Sequence, residues 1–193
     1  MPPPLRPFPI PSLSIGTDIA HIPRIARLVA SGPRKLPRFL RKLFTAREER
    51  AFHLRFPLRS LESADSGFES GSGEGEGEQR RQEDAAARYL AGRWAAKEAV
   101  VKACSWRRLM FDEIQILKDE GGKRVYGVIL DRAEVRRAMG GEGWGAKDET
   151  RSEALVEEVD EDIPGQIVKI SISHDGEYAT AVCLAAEETN EML

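Results

Sequence analysis

The stretch Arg88-Tyr-Leu-Ala-Gly-Arg-Trp-Ala-Ala-Lys-Glu-Ala-Val-Val-Lys-Ala103 reads as one amphipathic helix, and the rest of the chain is arranged around it. Leu90, Trp94, Ala95, Val101 and the alanines supply its apolar faces. Arg93 and Lys97 fall at i and i+4, as do Glu98 and Lys102, so a carboxylate and several cations project from neighbouring stripes of one rod. Taken alone, a Glu four residues before a Lys is an ordinary surface pair that stabilises a helix by about 0.2–0.5 kcal/mol. Two other segments give it a chemical setting. Ile15-Gly-Thr-Asp-Ile19 is an apolar run carrying Gly16 and Asp18, and Ile170-Ser-Ile-Ser-His-Asp-Gly-Glu-Tyr-Ala179 is a strand that ends in hydroxyls and an imidazole.

Working outward, Leu13 to Ala20 alternates and is rich in Ile, which predicts a strand running into Gly16 and Asp18. A helix is expected from about Pro23 to Val29, since Pro suits a first helical turn, and it places Arg24 and Arg27 on one side. Ser31-Gly-Pro33 breaks the chain before a helical pattern from Leu36 to Leu43. Thr45 with Glu48 three residues later is a capping box that opens another helix. From about Ser60 to Ala85 the sequence turns to Ser, Gly and Glu, and is read as a disordered insertion. Phe111–Leu117 and Lys123–Leu130 are alternating strands joined by Asp119-Glu-Gly-Gly122. Ala133 to Met139 suggests a short helix, and 140–165 a second, Gly- and Glu-rich insertion. Gln166 to Ser173 and Tyr178 to Ala185 complete the pattern as two strands around an Asp-Gly hairpin signal.

With 193 residues, 41% hydrophobic, the chain can hold one domain with a real core, or a smaller domain with extensions. A net charge of −3 from 29 basic and 32 acidic residues carries no nucleic-acid signature. The charge is uneven, however. Between Pro23 and Arg59 the only acids are Glu48 and Glu49, so this region suits an acidic partner. Cys104 and Cys183 lack zinc-site spacing and read as buried thiols. No apolar run approaches the ~20 residues of a membrane helix, and the Pro-rich opening is too broken for an amphipathic transit peptide. An intracellular soluble protein is expected, in the mitochondrion or the cytoplasm.

The ordered set Gly-x-Asp, then Trp-x-x-Lys-Glu-Ala-x-x-Lys-Ala, then Ser-x-Ser-His resembles the holo-acyl-carrier-protein synthase family of 4′-phosphopantetheinyl transferases. The resemblance covers about Ile15–Arg50, Arg88–Met139 and Ile167–Ala186, and departs from the family in the two insertions. It implies an α+β fold in which an antiparallel sheet packs on a long central helix. In domain terms it implies a Pro-rich extension over 1–13, a transferase domain over 14–186 with insertions at 60–85 and 140–165, and a tail over 187–193. The chain has no internal repeat, which fits the short type that assembles as homotrimers with active sites shared between subunits.

The implied reaction moves the 4′-phosphopantetheine arm of coenzyme A onto a serine of an apo acyl carrier protein. It requires Mg²⁺ and releases adenosine 3′,5′-bisphosphate. The resemblance assigns Asp18 and Glu98 as metal ligands, Lys102 to the pyrophosphate, and Arg93, Ser173 and His174 to the nucleotide. Arg24, with Arg27 beside it, matches a family position that grips acidic side chains of the carrier protein. Glu98, directly or through a metal-bound water, is the favoured proton acceptor and His174 its rival, although a lone His at a hairpin is more often structural. Two other readings remain: a catalytically silent coenzyme A or carrier-binding scaffold, and an acidic docking role for the Gly/Glu-rich insertion.

Overall fold

A computed structural model describes residues 12–31, 34–58, 73–119, 121–122, 124–131 and 164–187, with side chains from Gly77 onward in the long helix. Five strands, β1 (Leu13–His21), β2 (Ile114–Lys118), β3 (Val125–Leu130), β4 (Gly165–Asp175) and β5 (Tyr178–Ala186), form one sheet in the order β1-β5-β4-β3-β2. Every neighbouring pair is antiparallel. The α+β architecture implied by the resemblance is therefore what the chain adopts.

Side chains alternate across a strand, and here the alternation separates two different faces. One carries Gly16, Asp18 and Ala20 of β1 with Ala179, Ala181, Cys183 and Ala185 of β5, nearly all buried. Helix α4 (Gly73–Ala103) lies across it. Its sheet-side residues are small, with Ala91, Ala95, Ala99 and Ala103 fully buried, so helix and sheet backbones approach closely. Gly16 marks the tightest point, because a Cβ there would collide with the Ala99 carbonyl and the Ala103 amide. The opposite face is open and partly apolar: Ile15, Ile19 and Ile167 are 69%, 62% and 69% exposed, with Val182 and Leu184 beside them and Thr17, Lys169 and Ser171 between.

Three short helices, α1 (Ile22–Val29), α2 (Lys35–Leu43) and α3 (Ala46–Arg55), connect β1 to the segment before α4. Pro23 sits in the first turn of α1, as its fixed φ favours. The capping box at Thr45 forms as expected: Thr45 accepts from the Glu48 amide, and Glu48 accepts from the Thr45 amide at 3.1 Å. The hairpin signal at Asp175-Gly-Glu-Tyr178 is a two-residue loop, with Gly176 at φ +51° and Asp175 paired with Tyr178.

Two expectations need correction. The insertion read as a disordered loop over 60–85 is helical from Gly73, so α4 is longer than the motif. A helix nucleated over its packed alanine-rich half propagates at little further cost. Gln79 bonding Glu83 at 2.9 Å supports the added turns, where the composition had suggested only entropy. Residues 60–72 lie outside the described residues. The strand expected from Phe111 begins instead with a 3-10 turn over Phe111–Glu113, held by the Met110 amide donating to Glu113 at 2.8 Å. The expected helix Ala133–Met139, residues 140–163, most of the N-terminal extension and the end of the tail also fall outside the described residues. Among the described residues no helix is long and apolar enough to cross a membrane.

Candidate active site

Asp18 and Lys102, 84 positions apart, meet where β1 touches α4: Lys102 Nζ donates to Asp18 Oδ1 at 2.7 Å and to the Thr17 carbonyl at 3.1 Å. The closeness of that meeting depends on Gly16, which lies on the same face of β1 two residues before Asp18. Glu98 stands one helical turn before Lys102 and feels both groups. Its pKa is raised, first by burial and then by the Asp18 carboxylate, with Lys102 opposing. The hydrogen bond that Lys102 donates to Asp18, with both carboxylates nearby, raises the pKa of Lys102. Two carboxylates and one ammonium thus share a small region whose like charges oppose each other, the arrangement that a cation relieves.

The donor set fits Mg²⁺. Among the described residues no group of three or more His, Cys, Asp or Glu side chains comes together as a cation site. An ion at Asp18 and Glu98 would take only those two protein carboxylates there. Mg²⁺, a hard cation that keeps several waters and binds substrate phosphates, suits such a pair better than Zn²⁺.

From Glu98 a cleft of about 830 Å³ opens between β1, α1, α2, α4 and the 3-10 turn. Trp94 organises its apolar wall, stacking on Phe39 at 5.7 Å and meeting Phe111 edge-on at 5.1 Å. Arg24, Arg41 and Lys42 add positive charge from α1 and α2, and Asp112 adds a carboxylate from the turn. Arg24 therefore shares the cleft with Glu98. Arg27, three residues on, is exposed, and its Nε donates to the Pro23 carbonyl at 3.4 Å.

The structure does not bring every expected residue to this place. Arg93 is 7% exposed and donates to the Ile116 carbonyl at 2.5 Å, with its guanidinium 4.9 Å from the Tyr89 ring centroid. It is a core residue, and its expected contact with a nucleotide is not supported. The cause is helical phase: five residues separate Arg93 from Glu98, a rotation of about 140° around the axis. His174 Nε2 lies 3.0 Å from the Arg88 carbonyl. That anchor is roughly 15 Å along α4 from Glu98 at the usual rise per residue. The rival proton acceptor is thus remote from Glu98 within one chain. Ser173, paired with Thr180, faces the open side of the sheet.

One polar cluster escaped sequence reasoning. Lys97 is fully buried and donates to Glu48 Oε2 at 2.5 Å and to the Phe111 carbonyl at 2.9 Å. Glu48 Oε1 also accepts from the Ile116 amide at 2.9 Å. Burial pulls the Lys97 pKa down while Glu48 works against that fall. The cluster joins α3, α4 and β2, and its hold on Phe111 fixes the turn that walls the cleft. The available signal was Lys97's position three residues before Val100 and after Trp94, on an apolar stripe.

Comparison with known proteins gives this geometry a family. Residues 14–139, more than half of the chain, match the model of the 4′-phosphopantetheinyl transferase superfamily, and the chain belongs to it. A relative from Aspergillus fumigatus, "4′-phosphopantetheinyl transferase B, mitochondrial", is 38% identical over 94% of this chain and 98% of its own length. A holo-[acyl-carrier-protein] synthase of Corynebacterium efficiens is 31% identical over 89% of this chain and 92% of its own. The enzyme class is that of these relatives, 4′-phosphopantetheinyl transferase or holo-[acyl-carrier-protein] synthase. Among solved structures, the ACPS–CoA complex of Chronobacterium ammoniagenes is 26% identical at a TM-score of 0.49, covering 92% of this chain and 98% of that one.

Proposed function

We propose that the chain transfers the 4′-phosphopantetheine arm of coenzyme A to a serine hydroxyl of an apo acyl carrier protein, in a Mg²⁺-dependent reaction that releases adenosine 3′,5′-bisphosphate. The observation that carries this reading is the meeting of Asp18, Glu98 and Lys102 at the contact permitted by Gly16. Mg²⁺ held by Asp18 and Glu98 would supply the charge that clamps the diphosphate and stabilises the departing bisphosphate. Lys102, free to exchange Asp18 for a phosphate oxygen because it is half exposed, neutralises the same diphosphate. The serine oxygen forms a bond to the phosphorus that carries pantetheine. The bond from that phosphorus to the bridging oxygen breaks, and the oxygen leaves with the nucleotide. Glu98 takes the serine proton.

Arg24 and Arg27 form the carrier-docking edge, where electrostatic pairing with acidic side chains raises the association rate and selects the partner. Ser173 and His174 serve the nucleotide in an assembly of three copies, whose sites are shared across neighbouring subunits. The exposed Ile15, Ile19, Ile167, Val182 and Leu184 support that assembly, since a cluster of exposed apolar side chains on a sheet face marks an interaction surface. The transferase domain is taken as 14–186. The compartment is the mitochondrion or the cytoplasm, and fractionation of a tagged copy decides between them. The silent-scaffold reading is disfavoured, because binding alone gives no reason to gather two carboxylates against each other. Incubating the protein with Mg²⁺, coenzyme A and an apo carrier protein tests the proposal. A carrier heavier by one phosphopantetheine group is expected, and an unchanged mass with several apo carriers would restore the scaffold reading.

A further inference from the structure

Lys102 and a metal ion would compete for the same carboxylate. Asp18 Oδ1 accepts from Lys102 Nζ at 2.7 Å, and the same ammonium donates to the Thr17 carbonyl at 3.1 Å. The two side chains differ in freedom. Asp18 is fixed: its carbonyl accepts from Thr180 Oγ1 at 3.0 Å, its strand is pressed onto α4 at Gly16, and its side chain is only 16% exposed. Lys102 is a compact charge on a flexible stem, and its side chain is 51% exposed. The ammonium can therefore swing away while the carboxylate stays in place.

While it is bound there, Lys102 compensates one of the two carboxylates that a cation needs. Its charge also reaches Glu98, since it works against the rise in the Glu98 pKa that burial and Asp18 produce. A divalent ion approaching the pair meets one uncompensated carboxylate where the acids alone would offer two, with a like charge beside them. A diphosphate reverses this balance. An ammonium has three N–H donors, and Asp18 and the Thr17 carbonyl engage two of them, so a phosphate oxygen can be gripped before Asp18 is released. We infer that Lys102 makes divalent-cation binding at Asp18 and Glu98 conditional on the donor's diphosphate. It shields Asp18 in the free protein, and frees that carboxylate for the metal as it turns to the phosphates. This rests on the transfer reaction proposed above, which brings the diphosphate to Lys102, but it is tested without measuring transfer.

Mn²⁺ takes the same hard oxygen ligands as Mg²⁺, and electron paramagnetic resonance counts its free form. It is titrated into the full-length protein at about pH 8, above the ordinary carboxylate range. Without coenzyme A, Lys102→Met is expected to bind Mn²⁺ about tenfold more tightly than the wild type. Lys102→Arg keeps the charge and is expected to stay within about threefold of the wild type. Saturating coenzyme A is expected to raise the wild-type affinity about tenfold more than that of Lys102→Met. Equal, weaker or unmeasurable Mn²⁺ binding by a folded Lys102→Met overturns the inference, because Lys102 would then be indifferent to the metal or would support it. Lys102→Arg behaving like Lys102→Met overturns it as well, by removing charge as the cause. So does an equal effect of coenzyme A on the wild type and Lys102→Met. An apo carrier protein left unmodified by the wild type with coenzyme A and Mg²⁺ would instead sink the transfer reading, so the two failures are distinguishable.

Discussion

Lys97 and Lys102 sit about 1.4 turns apart on the same helix, each bound to a carboxylate from a distant segment, yet their surroundings are opposite. Lys97 is fully enclosed, and its partner Glu48 is satisfied by two backbone amides besides the ammonium. Lys102 is half exposed, and its partner Asp18 faces a second carboxylate, Glu98, that raises rather than relieves the local strain of charge. A closed, fully bonded cluster specifies structure. An open one with surplus negative charge is ready for something that arrives from solution. The position of a lysine relative to the apolar stripe, more than the motif it belongs to, decides between these roles.

The sharpest way to break this comparison is to remove each ammonium in turn. Lys97→Met should lose about 3–5 kcal/mol of stability, because it leaves Glu48 buried without its charge partner. Lys102→Met should melt close to the wild type while losing transfer activity. Chemical denaturation paired with an activity assay checks both, and equal destabilisation of the two variants would erase the distinction. Gly16→Ala comes next. Its Cβ meets helix backbone rather than a flexible side chain, so about 1–3 kcal/mol of strain is expected, together with weaker coupling between Asp18 and Lys102. A variant of unaltered stability and activity would show that the close approach is dispensable.

Arg24→Glu probes the open region from its carrier-facing side. It should raise the carrier protein's KM about tenfold at low salt and less at high salt, with little change in the KM for coenzyme A. An unmoved carrier KM would remove Arg24 from the docking edge. The smallest effect belongs to Asp112. Its folded-state pKa is raised, so the unfolded chain ionises more readily, and stability falls as pH rises from the ordinary value of 3.8 through the raised one. Asp112→Asn should therefore melt slightly higher than the wild type at neutral pH, with the gain vanishing in acid. A gain that persists below pH 3.8 would point to packing rather than charge.

Much of this architecture was legible because local signals agreed with the fold. The Ile-rich alternation of β1, the Thr45 capping box and the Asp175-Gly176 turn each form as their chemistry dictates. Asp18, Glu98 and Lys102 were legible as candidates because their residue types and order resemble a family pattern, and the fold brings them to one place. Arg93 was not legible. From sequence alone, Arg93 four residues before Lys97 puts two cations on one stripe, which suited an expected contact with a nucleotide, and only the packing of β2 against α4 shows that this stripe is interior. The early turns of α4 escaped for a different reason, since composition measures what a segment could bury but not what a neighbouring helix can propagate into it. Asp112 gave no periodic or motif signal, because its partial burial comes from the cleft that α1, α2 and α4 enclose.

The meeting of Asp18 and Glu98 as a working pair is tested most directly by intact-mass measurement of an apo carrier protein after incubation with coenzyme A and Mg²⁺. The wild-type protein should add one phosphopantetheine group to the carrier. A metal chelator or the isosteric change Glu98→Gln should leave the carrier at its apo mass, with the oligomeric state of the variant unchanged. Complete modification of the carrier by Glu98→Gln, or by the wild type in excess chelator, would contradict the proposed centre.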